Sequence, residues 1–150
     1  MTRKAIIYGG SGGIGSATGR ILRARGYELH LVGRNEDRLT ASAAELQAGF
    51  TTGDVNDSGL FARVTKEAGE SLDGLVYAVG TINLRGLQRF TEADFIHDFR
   101  VNALGAALAV QASLPAPREA PASPRWFFSP PSRPGKDFPC TLRSAWRRAR

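Results

Sequence analysis

Residues 4–15, with the sequence KAIIYGGSGGIG, join a short apolar run to a cluster of glycines. Residues 5–8 have the apolar character of a strand buried in a parallel sheet, and five of the next seven residues are glycine. Glycine permits positive φ angles and lets a ligand approach backbone that a Cβ would cover. The helical pattern that begins near Ile14 would direct free N–H groups at such a ligand, since this end of a helix attracts anions. The stretch therefore predicts a strand, a phosphate-binding loop and a helix.

The glycine spacing fits two dinucleotide-binding patterns. Gly10, Gly12 and Gly15 satisfy G-x-G-x-x-G, while Gly9, Gly13 and Gly15 satisfy G-x-x-x-G-x-G. A tight turn without any ligand is the alternative. The strand before the glycines and the helix after them favour dinucleotide binding over that alternative.

The second spacing resembles the short-chain dehydrogenase/reductase family, whose phosphate loop usually has the sequence T-G-x-x-x-G-x-G. Tyr8 stands here in place of the threonine. The resemblance implies a Rossmann-type doubly wound parallel α/β sheet in three layers, with a nicotinamide dinucleotide as cofactor. It implies that the loop contacts this cofactor through Gly9, Ser11, Gly12, Gly13, Ile14 and Gly15.

Short apolar segments alternate with helical patterns over residues 1–114. We predict strands at 5–8, 28–32, 50–52 and 72–80, the last with its exit loop, and helices at 14–25, 36–47, 58–70 and 91–113. This alternation predicts a parallel doubly wound sheet. We expect residues 1–114 to form a partial NAD(P)-binding domain, incomplete in its C-terminal half.

Composition limits the class of protein. No stretch approaches about 18 apolar residues, so we expect neither a signal peptide nor a membrane span, and a cytoplasmic location. Cys140 is the only cysteine, which excludes an intrachain disulfide. We predict no metal site.

The last part of the chain differs in composition from the rest. Residues 1–117 contain 12 Lys/Arg and 12 Asp/Glu, whereas residues 118–150 contain 8 and 2, so the whole net charge of +6 lies in the tail. All eight prolines lie at or after Pro115. Proline blocks helices and central strands, and we therefore expect 115–150 to be a disordered Pro/Arg-rich tail. The alternative is that residues 125–129 form a short fifth strand.

The residue after the second strand bears on the choice of cofactor. In a dinucleotide fold, a carboxylate roughly 20 residues past the loop holds the ribose 2′-hydroxyl. Arg34 occupies that region here, and a guanidinium can bind a 2′-phosphate bidentately. This favours NADP, while the nearby Glu36 and Asp37 leave NAD open. A solvated charge at the start of a helix is the alternative for Arg34.

The resemblance assigns four further site residues. Asp54 and Val55 match a family position, an aspartate followed by an aliphatic residue, that contacts adenine; a loop or capping role is the alternative for Asp54. Gly80 is what remains of the family's N-N-A-G at the exit of the fourth strand. Asn102 matches the asparagine that holds a water in a proton relay, and a packed helix residue is its alternative.

The implied activity is NAD(P)-dependent hydride transfer between the nicotinamide and a carbonyl or alcohol of a small-molecule substrate. The family's catalytic serine and Y-x-x-x-K motif are missing, because none of the three tyrosines is followed by lysine four residues later. A catalytically inactive dinucleotide-binding fragment is therefore an alternative. Binding of nucleic acid through the basic tail is a further alternative, which we disfavour. The family is usually homo-oligomeric, and the oligomeric state of this chain stays open.

The tail itself suggests a frameshift near residue 120. Shifted codons compatible with residues 125–150 can encode VVFFSSVAAGQGFPMHASIGMAKGA, which contains an apolar strand, a serine pair and a helix lysine typical of the family. The nucleotide sequence tests this hypothesis.

Overall fold

The computed structural model describes residues 3–69, 71–114 and 125–128, the last of these as backbone only. The strands are β1 (Arg3–Tyr8), β2 (Tyr27–Gly33), β3 (Gly49–Thr52), β4 (Gly74–Tyr77) and β5 (Arg125–Phe128). The helices are α1 (Gly13–Ala24), α2 (Glu36–Leu46), α3 (Gly59–Ala68), α4 (Glu92–Phe99) and α5 (Gly105–Ser113). A π-helical turn (Arg100–Leu104) joins α4 to α5.

The five strands form one parallel sheet in the order β3-β2-β1-β4-β5. Tyr8 at the end of β1 is in register with Val32 of β2 on one side and with Tyr77 of β4 on the other. The chain therefore reverses its direction of strand addition at β1, and ligands of such sheets bind in the crevice at this switch point. The predicted doubly wound parallel α/β fold is confirmed.

Helices cover both faces of the sheet. Because side chains alternate along a strand, Ile6 and Tyr8 of β1 pack into one buried cluster with α3 and α5, while Ala5 and Ile7 pack into a second with α2. The predicted three layers are therefore present. α1 approaches the sheet through Gly15 and Gly19, which are buried, while its Ile21 is 54% exposed.

The helix predicted at 91–113 is interrupted by the π-helical turn. Its start has a capping box: the Thr91 hydroxyl accepts the Asp94 N–H, and the Asp94 carboxylate accepts the Thr91 N–H. At the turn, the Gly105 N–H bonds the Arg100 carbonyl, five residues back.

β5 pairs with β4 in parallel, with Leu75 in register with Trp126. The alternative prediction of a short fifth strand is therefore correct for residues 125–128. The rest of the predicted disordered tail, residues 115–124 and 129–150, lies outside the described residues.

Candidate functional site

A cavity of about 330 Å³ opens at the carboxyl ends of β1, β2, β3 and β4. Seven of the predicted site residues line it: Gly9, Ser11, Gly12, Arg34, Asp54, Val55 and Gly80. The remaining four, Gly13, Ile14, Gly15 and Asn102, are not among its lining residues. Gly13, Ile14 and Gly15 form the first turn of α1, which begins directly behind the loop.

Close backbone contacts determine the shape of the glycine loop. Gly9 has a φ of +81°, and a Cβ there would lie 2.7 Å from the carbonyl oxygen of Ala78. A Cβ on Gly15 would overlap the Gly9 carbonyl oxygen and lie 2.8 Å from its carbon. The N–H groups of Gly9 and Gly10 both donate to the Val32 carbonyl, at 2.8 and 3.1 Å. Glycine is thus required by the protein itself at positions 9 and 15.

The start of α1 is suited to an anion. Its N-cap is Gly12, which offers no side-chain acceptor, and its first turn contains no acidic residue. α2 differs, because the Asn35 side chain accepts the Arg38 N–H at 2.9 Å. A Cβ on Gly13 would meet no atom within 4 Å, so the protein leaves open space beside this first turn. A helix start with no side-chain cap and with open space beside it matches what a pyrophosphate requires.

Two arginines stand where β2 leads into α2. Arg34 is 77% exposed, and its Nη1 lies 3.8 Å from Asp54 Oδ2. An exposed ion pair of this length contributes about 0–1 kcal/mol, so it leaves Arg34 free to reorient. Arg38 also lines the cavity, and its Nη2 donates to the Ser11 carbonyl at 3.4 Å. We did not predict Arg38 from the sequence; it lies in the first turn of α2, whereas Arg34 precedes the N-cap residue Asn35.

The loop after β3 brings a carboxylate into the same cavity. Asp54 Oδ1 accepts both the N–H and the side-chain amide of Asn56, each at 2.8 Å. This is a loop-stabilising contact of the kind that the alternative for Asp54 describes. Oδ2 lies on the side of Arg34. Asp54 can therefore stabilise the loop through Oδ1 while Oδ2 stays available for a ligand.

Asn102 lies behind the loop that follows β4. The Thr81 N–H donates to Asn102 Oδ1 at 2.9 Å, and Asn102 Nδ2 donates to the Thr81 carbonyl at 3.0 Å. Thr81 and Gly80 line the cavity. Asn102 therefore fixes the backbone of this loop. Its predicted role of holding a water stays a prediction.

Neither buried tyrosine is suited to proton transfer. Burial, with a smaller contribution from the Asp54 carboxylate, raises the pKa of Tyr77 to about 12. Burial also raises the pKa of Tyr8, and the nearby Tyr77 adds to the shift. A general acid or base works best with a pKa near the operating pH. Neither Tyr8 nor Tyr77 is therefore poised for that role.

Two features are absent from the described residues. No helix there is long and apolar enough to cross a membrane. Within the same residues, no group of three or more His, Cys, Asp or Glu is placed to hold a metal ion.

The cavity at the carboxyl ends of β1–β4, which we call the switch-point cleft, and the glycine loop beside it are typical of the Rossmann class of α/β folds. A family model described as short chain dehydrogenase matches residues 3–121. The chain belongs to this family, which confirms the resemblance found in the sequence. Members of the family bind nicotinamide cofactors, NAD or NADP.

Individual relatives agree with the family match. An uncharacterized oxidoreductase of Mycobacterium tuberculosis is 34% identical over 116 residues, covering 75% of this chain and 45% of that protein. A 3-oxoacyl-(acyl-carrier-protein) reductase of Bos taurus is 30% identical over 122 residues, covering 76% and 50%. A solved dehydrogenase/reductase from Sinorhizobium meliloti 1021 superimposes with a TM-score of 0.70 at 27% identity, covering 74% and 48%. The chain spans about half the length of the curated relatives it matches.

Proposed function

We propose that this chain binds NADP in the switch-point cleft and acts as an oxidoreductase of short-chain dehydrogenase type. The observation that carries the proposal is one cavity lined both by Gly12, the N-cap residue of α1, and by Arg34 and Arg38. The reaction would move a hydride between the nicotinamide and a carbonyl or alcohol carbon. When bound, the nicotinamide supplies or accepts that hydride, and the protein supplies orientation and electrostatics.

Each part of the cleft has a proposed task. The first turn of α1 binds the pyrophosphate, because its N–H groups and dipole favour negative charge. Arg34 and Arg38 bind the 2′-phosphate, since guanidinium groups pair with phosphate through several hydrogen bonds. Asp54 and Val55 contact the adenine. Asn102 keeps the loop after β4 in place beside the second half of the cofactor.

A carbonyl-containing substrate is supported by one relative. The bovine protein is named as a reductase of 3-oxoacyl groups on acyl carrier protein. Reduction of a ketone to an alcohol is the reaction that this name describes. We propose the same class of reaction here, in the cytoplasm, which is the compartment expected from the sequence.

Binding without turnover is the second candidate. Tyr8 and Tyr77 are buried, their pKa values are raised, and no tyrosine in the chain precedes a lysine by four residues. Neither Tyr8 nor Tyr77 is therefore suited to supply the proton that hydride transfer to a ketone requires. This observation favours a dinucleotide-binding protein without catalysis.

Titration of the purified chain with NADPH and with NADH tests the proposal, using nicotinamide fluorescence and thermal melting. Saturable binding with a raised Tm, tighter for NADPH, is the expected result. Absence of binding to a chain that melts cooperatively would contradict it. NADPH oxidation with 3-oxoacyl thioesters and simple ketones then separates the two candidates, because only the enzyme consumes NADPH.

The frameshift near residue 120 remains a proposal about the gene. The family match ends at residue 121, close to the change in composition. Sequencing the coding region tests it: a second frame that is open past this point and encodes VVFFSS is expected. A frame closed by a stop codon would refute the hypothesis.

A further inference from the structure

The hydroxyl of Tyr77 makes a contact that no part of the proposed function uses. Tyr77 ends β4 and is 2% exposed. Its hydroxyl donates a hydrogen bond of 2.7 Å to the backbone carbonyl of Val101 in the π-helical turn. The two residues are 24 positions apart, so this bond ties the central sheet to the helix that covers it.

The π-helical turn explains why the Val101 carbonyl needs this donor. In an uninterrupted α-helix, the Gly105 N–H would bond the Val101 carbonyl, four residues earlier. Here that N–H bonds the Arg100 carbonyl instead. The Tyr77 hydroxyl takes the place of the missing N–H at Val101. A buried carbonyl without a donor is costly, so the hydroxyl favours the π-helical turn over a regular helix.

Gly105 makes room for this hydroxyl. A Cβ at position 105 would overlap Tyr77 Oη and lie 3.3 Å from Tyr77 Cζ. The tyrosine and the glycine therefore form a matched pair. Either a side chain at position 105 or the hydroxyl at position 77 can occupy this space.

We infer that Tyr77 is a positioning residue for Asn102. Asn102 lies within the turn and bonds the N–H and carbonyl of Thr81 in the cleft. Return of the turn to a regular helix would change the backbone path of the residues within it and carry the Asn102 amide away from Thr81. Tyr77 thus acts on the cleft through the turn, without touching the ligand. The inference rests on the proposed function only where NADPH affinity is used to test it.

Tyr77→Phe tests the inference by two readouts. The first is hydrogen exchange of the Thr81 amide, whose protection is expected to fall about tenfold with the loss of one positioned hydrogen bond. The second is affinity for NADPH against 2′,5′-ADP, which lacks the nicotinamide half. NADPH is expected to bind about 3–10-fold more weakly, while 2′,5′-ADP is unchanged, because β4 belongs to the other mononucleotide half of the fold.

A rescue pair makes the test specific. In the Tyr77→Phe background, Gly105→Ser adds a hydroxyl that can bond the carbonyl four residues earlier, which is that of Val101. Gly105→Ala adds the same Cβ without the hydroxyl. The serine variant is expected to restore Thr81 protection and NADPH affinity, and the alanine variant is not. Tyr27→Phe is the control, since that hydroxyl lies outside the cleft and contacts Arg3.

The outcomes separate the inference from the proposed function. Unchanged Thr81 protection in a folded Tyr77→Phe chain overturns the inference, as does equal behaviour of the serine and alanine variants. If Tyr77→Phe does not melt cooperatively, Gly105→Ala in the native background displaces the same hydroxyl and must expose Thr81. A native chain that binds neither nucleotide contradicts the proposed function, while the exchange readout still decides the role of Tyr77.

Discussion

The two sides of the cleft are built in different ways. On the side of β1, β2 and β3, the glycine loop, Arg34 and Asp54 follow directly from short stretches of sequence at strand ends. On the side of β4, the backbone is held from a distance by Asn102 and, through the turn, by Tyr77. The first side therefore depends on local backbone geometry. The second depends on packing between the sheet and a helix that comes more than 20 residues later.

Gly15→Val is expected to have the largest effect. Its Cβ would overlap the Gly9 carbonyl oxygen, and backbone cannot move aside as a flexible side chain can. We expect the NADPH affinity to fall more than about 100-fold, with a lowered Tm. Fluorescence titration and thermal melting measure both quantities.

Gly13→Ala is the matched variant at the same helix start. Its Cβ meets no protein atom within 4 Å, so the Tm is expected to stay within a few degrees of the native value. Weakened NADPH binding with an unchanged Tm would place the ligand beside Gly13. If both glycine variants bind NADPH as the native chain does, the pyrophosphate lies elsewhere and the comparison between the two sides fails.

Arg34→Ser is expected to change the choice of cofactor. Hydrogen bonds to a charged group contribute about 1.5–3 kcal/mol, which corresponds to roughly 10–100-fold in the Kd for NADPH. The Kd for NADH should change little, because NADH lacks the 2′-phosphate. Arg85→Ser removes the same charge outside the cleft, where Arg85 pairs with Asp94, and should leave both affinities unchanged. Parallel losses for NADPH and NADH would contradict the assignment of Arg34.

Particular residues show what the sequence could reveal. Gly9, Gly15 and Arg34 were predicted because a phosphate loop and a strand end are set by neighbouring residues. Arg38 was missed because its contact with Ser11 requires the packing of α2 beside the loop.

The β4 side was less accessible to prediction. Asn102 was assigned only through the family resemblance, and its contact with Thr81 joins two segments 21 residues apart. The π-helical turn was missed, because periodicity alone predicted one regular helix at 91–113. It depends on a buried hydroxyl from another layer, which no local pattern encodes. Residues 125–128 were an alternative rather than the main prediction, because the prolines around them argued against a strand.

Asn102→Ala sharpens the comparison with a smaller expected effect. It removes two hydrogen bonds of about 1 kcal/mol each, and part of this loss should appear as a 3–10-fold weaker NADPH affinity. Binding of 2′,5′-ADP should not change. Asn83→Ala is the control, since that amide bonds Asp94 rather than the cleft. Equal weakening of both ligands would show that the two sides of the cleft are not independent.

The smallest expected effect lies outside the cleft, at His30. Its Nε2 lies 2.7 Å from the Thr51 hydroxyl, which donates to Glu67. Burial lowers the pKa of His30, and the Glu67 carboxylate only partly offsets this. The unfolded chain, with a histidine pKa of about 6.5, therefore binds more protons than the folded one just below that pH, so stability is complete above it and falls as the pH is lowered.

His30→Gln should therefore reduce the fall in Tm between about pH 7.5 and 5.5 while leaving NADPH affinity at pH 7.5 unchanged. Thermal melting at both pH values and one fluorescence titration provide the measurements. A change in NADPH affinity would mean that the glycine loop and Arg34 depend on the hydrogen bonds that link His30, Thr51 and Glu67. In that case the first side of the cleft would need long-range packing as much as the second, and the contrast between a locally encoded half and a packed half would no longer hold.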